Sequence, residues 1–131
     1  MSLRPQSPAT RAVRVMTVDD QEMFRGVARD VIDATPGFES VGEATSGEEA
    51  LGAVERLGPE LVLVDVRMPG MNGIEVARRL VAKHPKLVVV LISIAERVDV
   101  PSAAQLGEVP LVRKQDFGPR LLRRLWREYG R

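Results

Sequence analysis

Asp19-Asp20, Asp65 and Ser93 come directly after short apolar runs, Val13–Val18, Leu61–Val64 and Leu87–Ile92, and Lys114 follows a fourth, Leu111–Val112, after one arginine. If those runs are parallel strands of one open sheet, their carboxyl ends share an edge, and such edges are where these sheets bind ligands. The polar side chains then converge in one cleft. Three crowded carboxylates repel one another when ionised, and either protonation or a cation relieves them. A set of oxygen donors in a chain without cysteine suits a hard divalent ion such as Mg2+, which keeps several waters and leaves positions for a phosphoryl oxygen. Lys114 adds a mobile positive charge, Ser93 a hydroxyl donor, and Asp65 a carboxylate able to form an aspartyl phosphate.

Each residue alone has a plainer explanation. Asp19 or Asp20 suits a helix cap, and Asp65 in Val64-Asp65-Val66-Arg67-Met68-Pro69-Gly70 suits the start of a turn. Ser93 suits a strand end and Lys114 a solvated surface. Coincidence of all of them at one sheet edge argues for a site. His84, the single histidine, stands beside Pro85 and reads as a surface loop residue, while Met68 and Met71 read as packing.

Elements that could position these groups follow from the pattern. Phe38–Ala44 supplies a fifth strand, and β-branched runs alternate with helical periods as in repeated βα units. Val13–Val18, Leu61–Val64 and Leu87–Ile92 are apolar almost without alternation, which predicts central strands covered on both faces. A first helix is expected over Gln21–Ala34, closed by Pro36-Gly37. Ser46-Gly47-Glu48-Glu49 fits a reciprocal capping box opening a helix to Leu57. Asn72 caps a third, which ends before Pro85. Pro101 leaves only Ser102–Leu106 as a short helix in the next segment. The last helix, Phe117–Tyr129, takes Asp116 as cap and Pro119 in its first turn. Leu121, Leu122, Leu125, Trp126 and Tyr129 fall on one face of it and Arg120, Arg123, Arg124, Arg127 and Arg131 on the other, read as a solvated face rather than a nucleic-acid surface.

Composition sets the frame. The 131 residues have the length of one domain, with 44% hydrophobic and 28% charged residues and a net charge of +1, as in a soluble globular protein. Residues 1–11 read as a flexible tail before a single domain over 12–131. The longest apolar run, Leu87–Ile92, is far short of the roughly 20 residues a membrane helix needs, and a cytoplasmic location is expected.

The segment Leu61–Glu75, with Asp65-Val66-Arg67-Met68-Pro69-Gly70 at its centre, resembles the phosphoacceptor strand and loop of response-regulator receiver domains of two-component signalling. The resemblance runs from about Arg11 to Tyr129. Val18-Asp19-Asp20, followed by Phe24-Arg25, is similar to receivers of regulators with helix-turn-helix DNA-binding outputs, and no such output is expected in this chain. The resemblance implies an α/β fold, a flavodoxin-like (βα)5 with a five-stranded parallel sheet in the order 2-1-3-4-5, flanked by helices. It further implies that Asp65 accepts the phosphoryl group, that Asp20, Asp65 and the Arg67 backbone carbonyl ligate Mg2+, and that Asp19 acts on the ion through water. Ser93 then corresponds to the switch hydroxyl and Lys114 to the phosphate-contacting lysine.

The partners implied are a histidine kinase or phosphotransfer protein and an output domain or protein outside this chain. Homodimerisation stays open, and neither a membrane nor direct nucleic-acid binding is expected. The domain would catalyse only its own phosphorylation and dephosphorylation. Two departures stand out: Leu111 replaces the aromatic switch residue common in the family, with an inward side chain expected, and Pro101 shortens the following helix. A receiver-like interaction domain not switched by phosphorylation is therefore a competing reading. A small haloacid-dehalogenase-like phosphatase is a weaker one, since it resembles Asp-x-Asp where this chain has Arg67 and needs a cap domain. A flavodoxin-like cofactor carrier is weaker still, because its first loop offers hydroxyls rather than Asp19-Asp20.

Overall fold

The computed structural model describes residues 11–94 and 109–130. In chain order the elements are β1 (Val13–Val18), α1 (Glu22–Ala34), β2 (Phe38–Ala44), α2 (Gly47–Leu57), β3 (Leu61–Asp65), α3 (Gly73–Lys83), β4 (Val88–Ser93), β5 (Leu111–Arg113) and α4 (Pro119–Tyr129), with a 3-10 turn at Lys114–Asp116. The sheet is parallel throughout, in the order β2-β1-β3-β4-β5. The three continuous apolar runs occupy its centre, as their lack of alternation predicts.

Helices cover both faces. Met16, Val18, Val62, Val64, Val89 and Leu91 turn toward α2 and α3, where Ala53, Val54, Val76 and Leu80 complete one core. Their neighbours Val15, Leu61, Leu63, Val90 and Ile92 turn toward α1 and α4, meeting Ile32, Leu122 and Leu125. Burying each larger side chain contributes about 1.5–3 kcal/mol relative to leaving it in water. The sheet is thus a wall between two cores, and its carboxyl edge is held from both sides.

Local signals act mostly where the sequence places them. Gly37 takes φ +90 in the turn that closes α1, a backbone state open to glycine. The Asn72 side chain accepts from Glu75 N–H at 3.0 Å, and Ser46 Oγ from Glu49 N–H at 3.1 Å. The reciprocal half of the box is displaced by one residue: Glu49 accepts from Thr45 N–H at 2.6 Å and from the Thr45 hydroxyl at 2.9 Å. Asp116 does not cap the last helix. Lys114–Asp116 closes a turn of its own through Phe117 N–H to Lys114 O at 3.1 Å, and Asp116 pairs with Arg113 at 3.1 Å. The helix therefore starts at Pro119, with Gly118 at its cap and no side-chain bond there. His84 is not simply a loop residue: it caps the end of α3 and meets Glu55 at 3.1 Å. Met68 is buried and Met71 packs against the same core, as expected. The N-terminal tail before residue 11 and the short helix expected at Ser102–Leu106 lie outside the described residues.

β2 contains an irregularity. Val15 pairs with Ser40 but Met16 pairs with Gly42, so Val41 is an extra residue opposite β1. Phe38, before the bulge, joins the α1/α4 core, whereas Ala44, after it, joins the α2/α3 core, although both positions are even-numbered. Past the bulge, Glu43 turns to α1 and bonds Arg25 and Arg29 there, at 3.3 and 2.7 Å.

Candidate functional site

Asp19 leaves the end of β1 fully buried. Its backbone N–H donates to Ala44 O at 3.0 Å, continuing the ladder with β2, and its carbonyl accepts from Arg25 Nη1 at 2.9 Å. Oδ1 accepts from the Gln21 N–H at 2.8 Å, which orders the entry to α1; neither Asp19 nor Asp20 is the cap of α1, a position held by Gln21 without a side-chain bond. The Lys114 ammonium lies 2.6 Å from Asp19 Oδ2. Since that oxygen has no hydrogen bond of good angle, the contact is best described as a close ion pair. Asp20, the next residue, is exposed.

Asp65 is the last residue of β3, one position earlier relative to the strand end than the sequence suggests, and only 5% exposed. Val66 N–H donates to Ile92 O at 2.9 Å and Gly73 N–H to Val66 O at 2.9 Å, so the loop returns to the strand that it left. Gly73 sits so close that a Cβ there would lie 1.9 Å from Asp65 O; only glycine fits. Ser93 likewise closes β4 from within the strand and is buried. Lys114 reaches in from the 3-10 turn after β5, with its Nζ 3.7 Å from Asp65 Oδ1 and 4.8 Å from the centre of the Phe24 ring.

The structure therefore brings the sequence-selected groups together. Asp19, Asp20 and Asp65 each offer a carboxylate oxygen within 4.8 Å of the others. Gln21, Asp65, Arg67, Ser93, Ile94 and Lys114 line a cavity of about 210 Å³ beside them. Burial, and then the charge on Asp19, push the Asp65 carboxyl up to about 6; Lys114 and a hydrogen bond from the Arg67 backbone N–H pull against this, and Asp20 adds to the rise. Leu111 stands apart. It is 37% exposed and lines a separate groove with Arg113, Asp116 and Leu121. As the first residue of an edge strand of three residues, it has sheet on one side only.

The donor set fits a hard divalent cation. One lysine cannot neutralise three carboxylates, the remaining repulsion is registered at Asp65, and the available donors are oxygens. In the sequence, Phe24-Arg25 enters only through the family likeness, with no role at the site, and Phe117 and Gly73 are given none there either. Gly73 directly after the Asn72 cap carried a signal, since a glycine at the first turn of a helix marks close backbone approach. The aromatic pair had the same pattern as ordinary core.

An open parallel sheet in this order, with acidic groups and a lysine at its carboxyl edge, defines a receiver-type α/β domain. Residues 15–125 match the response regulator receiver domain, and the chain belongs to that family. It is thus a receiver domain of the response regulators of two-component systems. Over 91 residues it is 41% identical to "Response regulator GacA" of Pseudomonas viridiflava, an alignment covering 69% of this chain and 42% of that protein. It is 35% identical over 120 residues to "Protein-glutamate methylesterase/protein-glutamine glutaminase 5" of Anaeromyxobacter dehalogenans, covering 88% of this chain and 33% of that one. Among solved structures, the response regulator domain of Thermotoga maritima CheB superposes with a TM-score of 0.78 at 30% identity, over 91% of this chain and 96% of that chain. The chain covers less than half the length of these two curated relatives. No helix among the described residues is long and apolar enough to cross a membrane.

Proposed function

We propose that this domain is a phosphorylation-controlled signalling module with Asp65 as phosphoacceptor. The carrying observation is the buried Asp65 carboxylate, with Lys114 3.7 Å away and two further carboxylates at the same sheet edge. The ionised Asp65 oxygen forms a bond to phosphorus as the P–N bond of a phosphohistidine breaks, and the imidazole, already protonated at its other ring nitrogen, leaves neutral with the electron pair of that bond. Lys114 faces the charge gathering on the phosphoryl oxygens, and Ser93 offers its hydroxyl to them. Asp19, Asp20, Asp65 and the Arg67 backbone carbonyl are the groups that would hold Mg2+. When bound, the ion offsets the carboxylate repulsion and the phosphoryl charge. The donor is a histidine kinase or phosphotransfer protein and the site of action the cytoplasm. The module catalyses only its own phosphorylation and dephosphorylation, and an output domain or protein outside this chain reads the result.

A small phosphodonor with magnesium should add one phosphoryl group to the protein by intact-protein mass spectrometry, and Asp65→Asn should abolish it with the fold retained. Persistent single phosphorylation of that variant moves the acceptor elsewhere. The apolar, partly exposed Leu111 favours a second reading, an interaction domain whose binding face ignores phosphorylation. Labelling at Asp65 with no change in partner affinity is its signature.

A further inference from the structure

The ammonium of Lys114 is held on three sides. Asp19 lies at 2.6 Å and Asp65 at 3.7 Å, and the face of Phe24 closes the third side at 4.8 Å. Two carboxylates alone give an uneven hold: the nearer one draws the lysine toward β1 and away from the carboxylate that needs it. The Phe24 ring supplies what they lack. Attraction between a cation and a ring face is broad, so it persists while the ammonium slides across the ring. A hydrogen bond is lost over the same small displacement.

The ring itself is well placed to stay still. Phe117, buried at 9% exposure, packs against it with centroids 6.2 Å apart and planes at 58°. That tilted arrangement suits the ring quadrupoles. Phe117 also donates its N–H to Lys114 O at 3.1 Å, so the brace and the lysine belong to one turn. On the other side, the residue next to Phe24 is Arg25, whose guanidinium grips the Asp19 carbonyl at 2.9 Å. The first turn of α1 is thereby tied to the end of β1.

We propose that Phe24, braced by Phe117, is a positioning residue for Lys114. Its ring carries the ammonium between Asp19 and Asp65 and lets it travel to a phosphoryl oxygen without leaving a cation site. This rests on the reading of Asp65 as phosphoacceptor only for its kinetic consequence; the placement of Lys114 stands by itself. The plain alternative is that Phe24 is core packing and its nearness to Lys114 is idle.

Lys83, Lys86 and Lys114 are the three lysines of the chain, so their ε-methylene signals are readily assigned by carbon-13 NMR. In the parent, Lys114 ε-methylene protons should lie upfield of the other two through the ring current of Phe24. Phe24→Leu, which keeps apolar volume, should remove that displacement, and Phe24→Tyr should keep it. With acetyl phosphate and magnesium, Phe24→Leu should label Asp65 about fivefold more slowly, equivalent to about 1 kcal/mol at about 1.4 kcal/mol per tenfold, and Phe24→Tyr should restore the parental rate. An undisplaced Lys114 signal in the parent overturns the proposal without any variant having to fold. Equal labelling rates in the parent and Phe24→Leu, or slow labelling in Phe24→Tyr, also overturn it. The NMR signature is read on unphosphorylated protein, so it stays informative if Asp65→Asn labelling defeats the phosphoacceptor reading.

Discussion

Ionised Asp65 stands in a place that disfavours its charge, and replacing it by asparagine should stabilise the metal-free protein in a pH-dependent way. A carboxyl group that ordinarily titrates near 3.8 and here titrates at about 6 is disfavoured in its charged form by about 3 kcal/mol, at about 1.4 kcal/mol for each pH unit between the two values. The direction follows from proton linkage. Below the unfolded value both states are protonated and the native state carries no penalty. As pH rises toward 6, the unfolded chain releases its proton while the native one retains it, so stability falls, and above about 6 the full penalty is present. Asp65→Asn has nothing to titrate. In urea titrations with a chelator present, the two proteins should be nearly equal near pH 4, and the variant should gain over the parent up to about 3 kcal/mol by pH 7. A difference that stays constant from pH 4 to 7 would refute the burial and repulsion assigned to this carboxylate, and a variant that loses stability relative to the parent as pH rises would reverse its sign.

Magnesium at about a hundred times its Kd should stabilise the parent by about 2.7 kcal/mol through mass action, while Asp20→Ala should abolish the response in thermal melts. Because the Asp20 charge also pushes Asp65 upward, the metal-free Asp20→Ala protein should be at least as stable as the parent. Two glycine substitutions should move in opposite directions. Gly73→Ala, whose new Cβ meets Asp65 O at 1.9 Å, should cost about 1–3 kcal/mol in urea unfolding and slow Asp65 labelling. Gly52→Ala, in α2 with open space around it, should gain about 0.5–1 kcal/mol.

The strands and most helices were legible because burial on both faces and capping leave local marks: unbroken runs such as Leu87–Ile92, a serine or asparagine before a helical period, glycine where φ is positive. The carboxylates, Ser93 and Lys114 were legible for a related reason, as polar residues at the ends of apolar strands. What escaped depends on tertiary placement. Asp116 has the type and spacing of a cap, but the turn at Lys114–Asp116 closes first. Leu111 is partly exposed at the start of β5, an edge strand of three residues, a fact absent from its own side chain. Phe24 and Phe117 have the spacing of core residues, and no sequence pattern separates a ring that merely fills space from one that lies over an ammonium.

The extra residue in β2 has a consequence for how this domain tolerates length changes. Val41 is the residue that β1 does not pair, so its deletion would make Ser40 and Gly42 successive partners of Val15 and Met16 and leave Glu43 and Ala44 paired with Thr17 and Val18. Because paired residues share a face of the sheet, Glu43 would still meet Arg25 and Arg29, and Ala44 would stay in the core beneath α2. The strand therefore carries one residue of slack. A single codon lost here would be absorbed by straightening β2, with Arg25 still tied to Glu43 and to the Asp19 carbonyl at the acidic cleft.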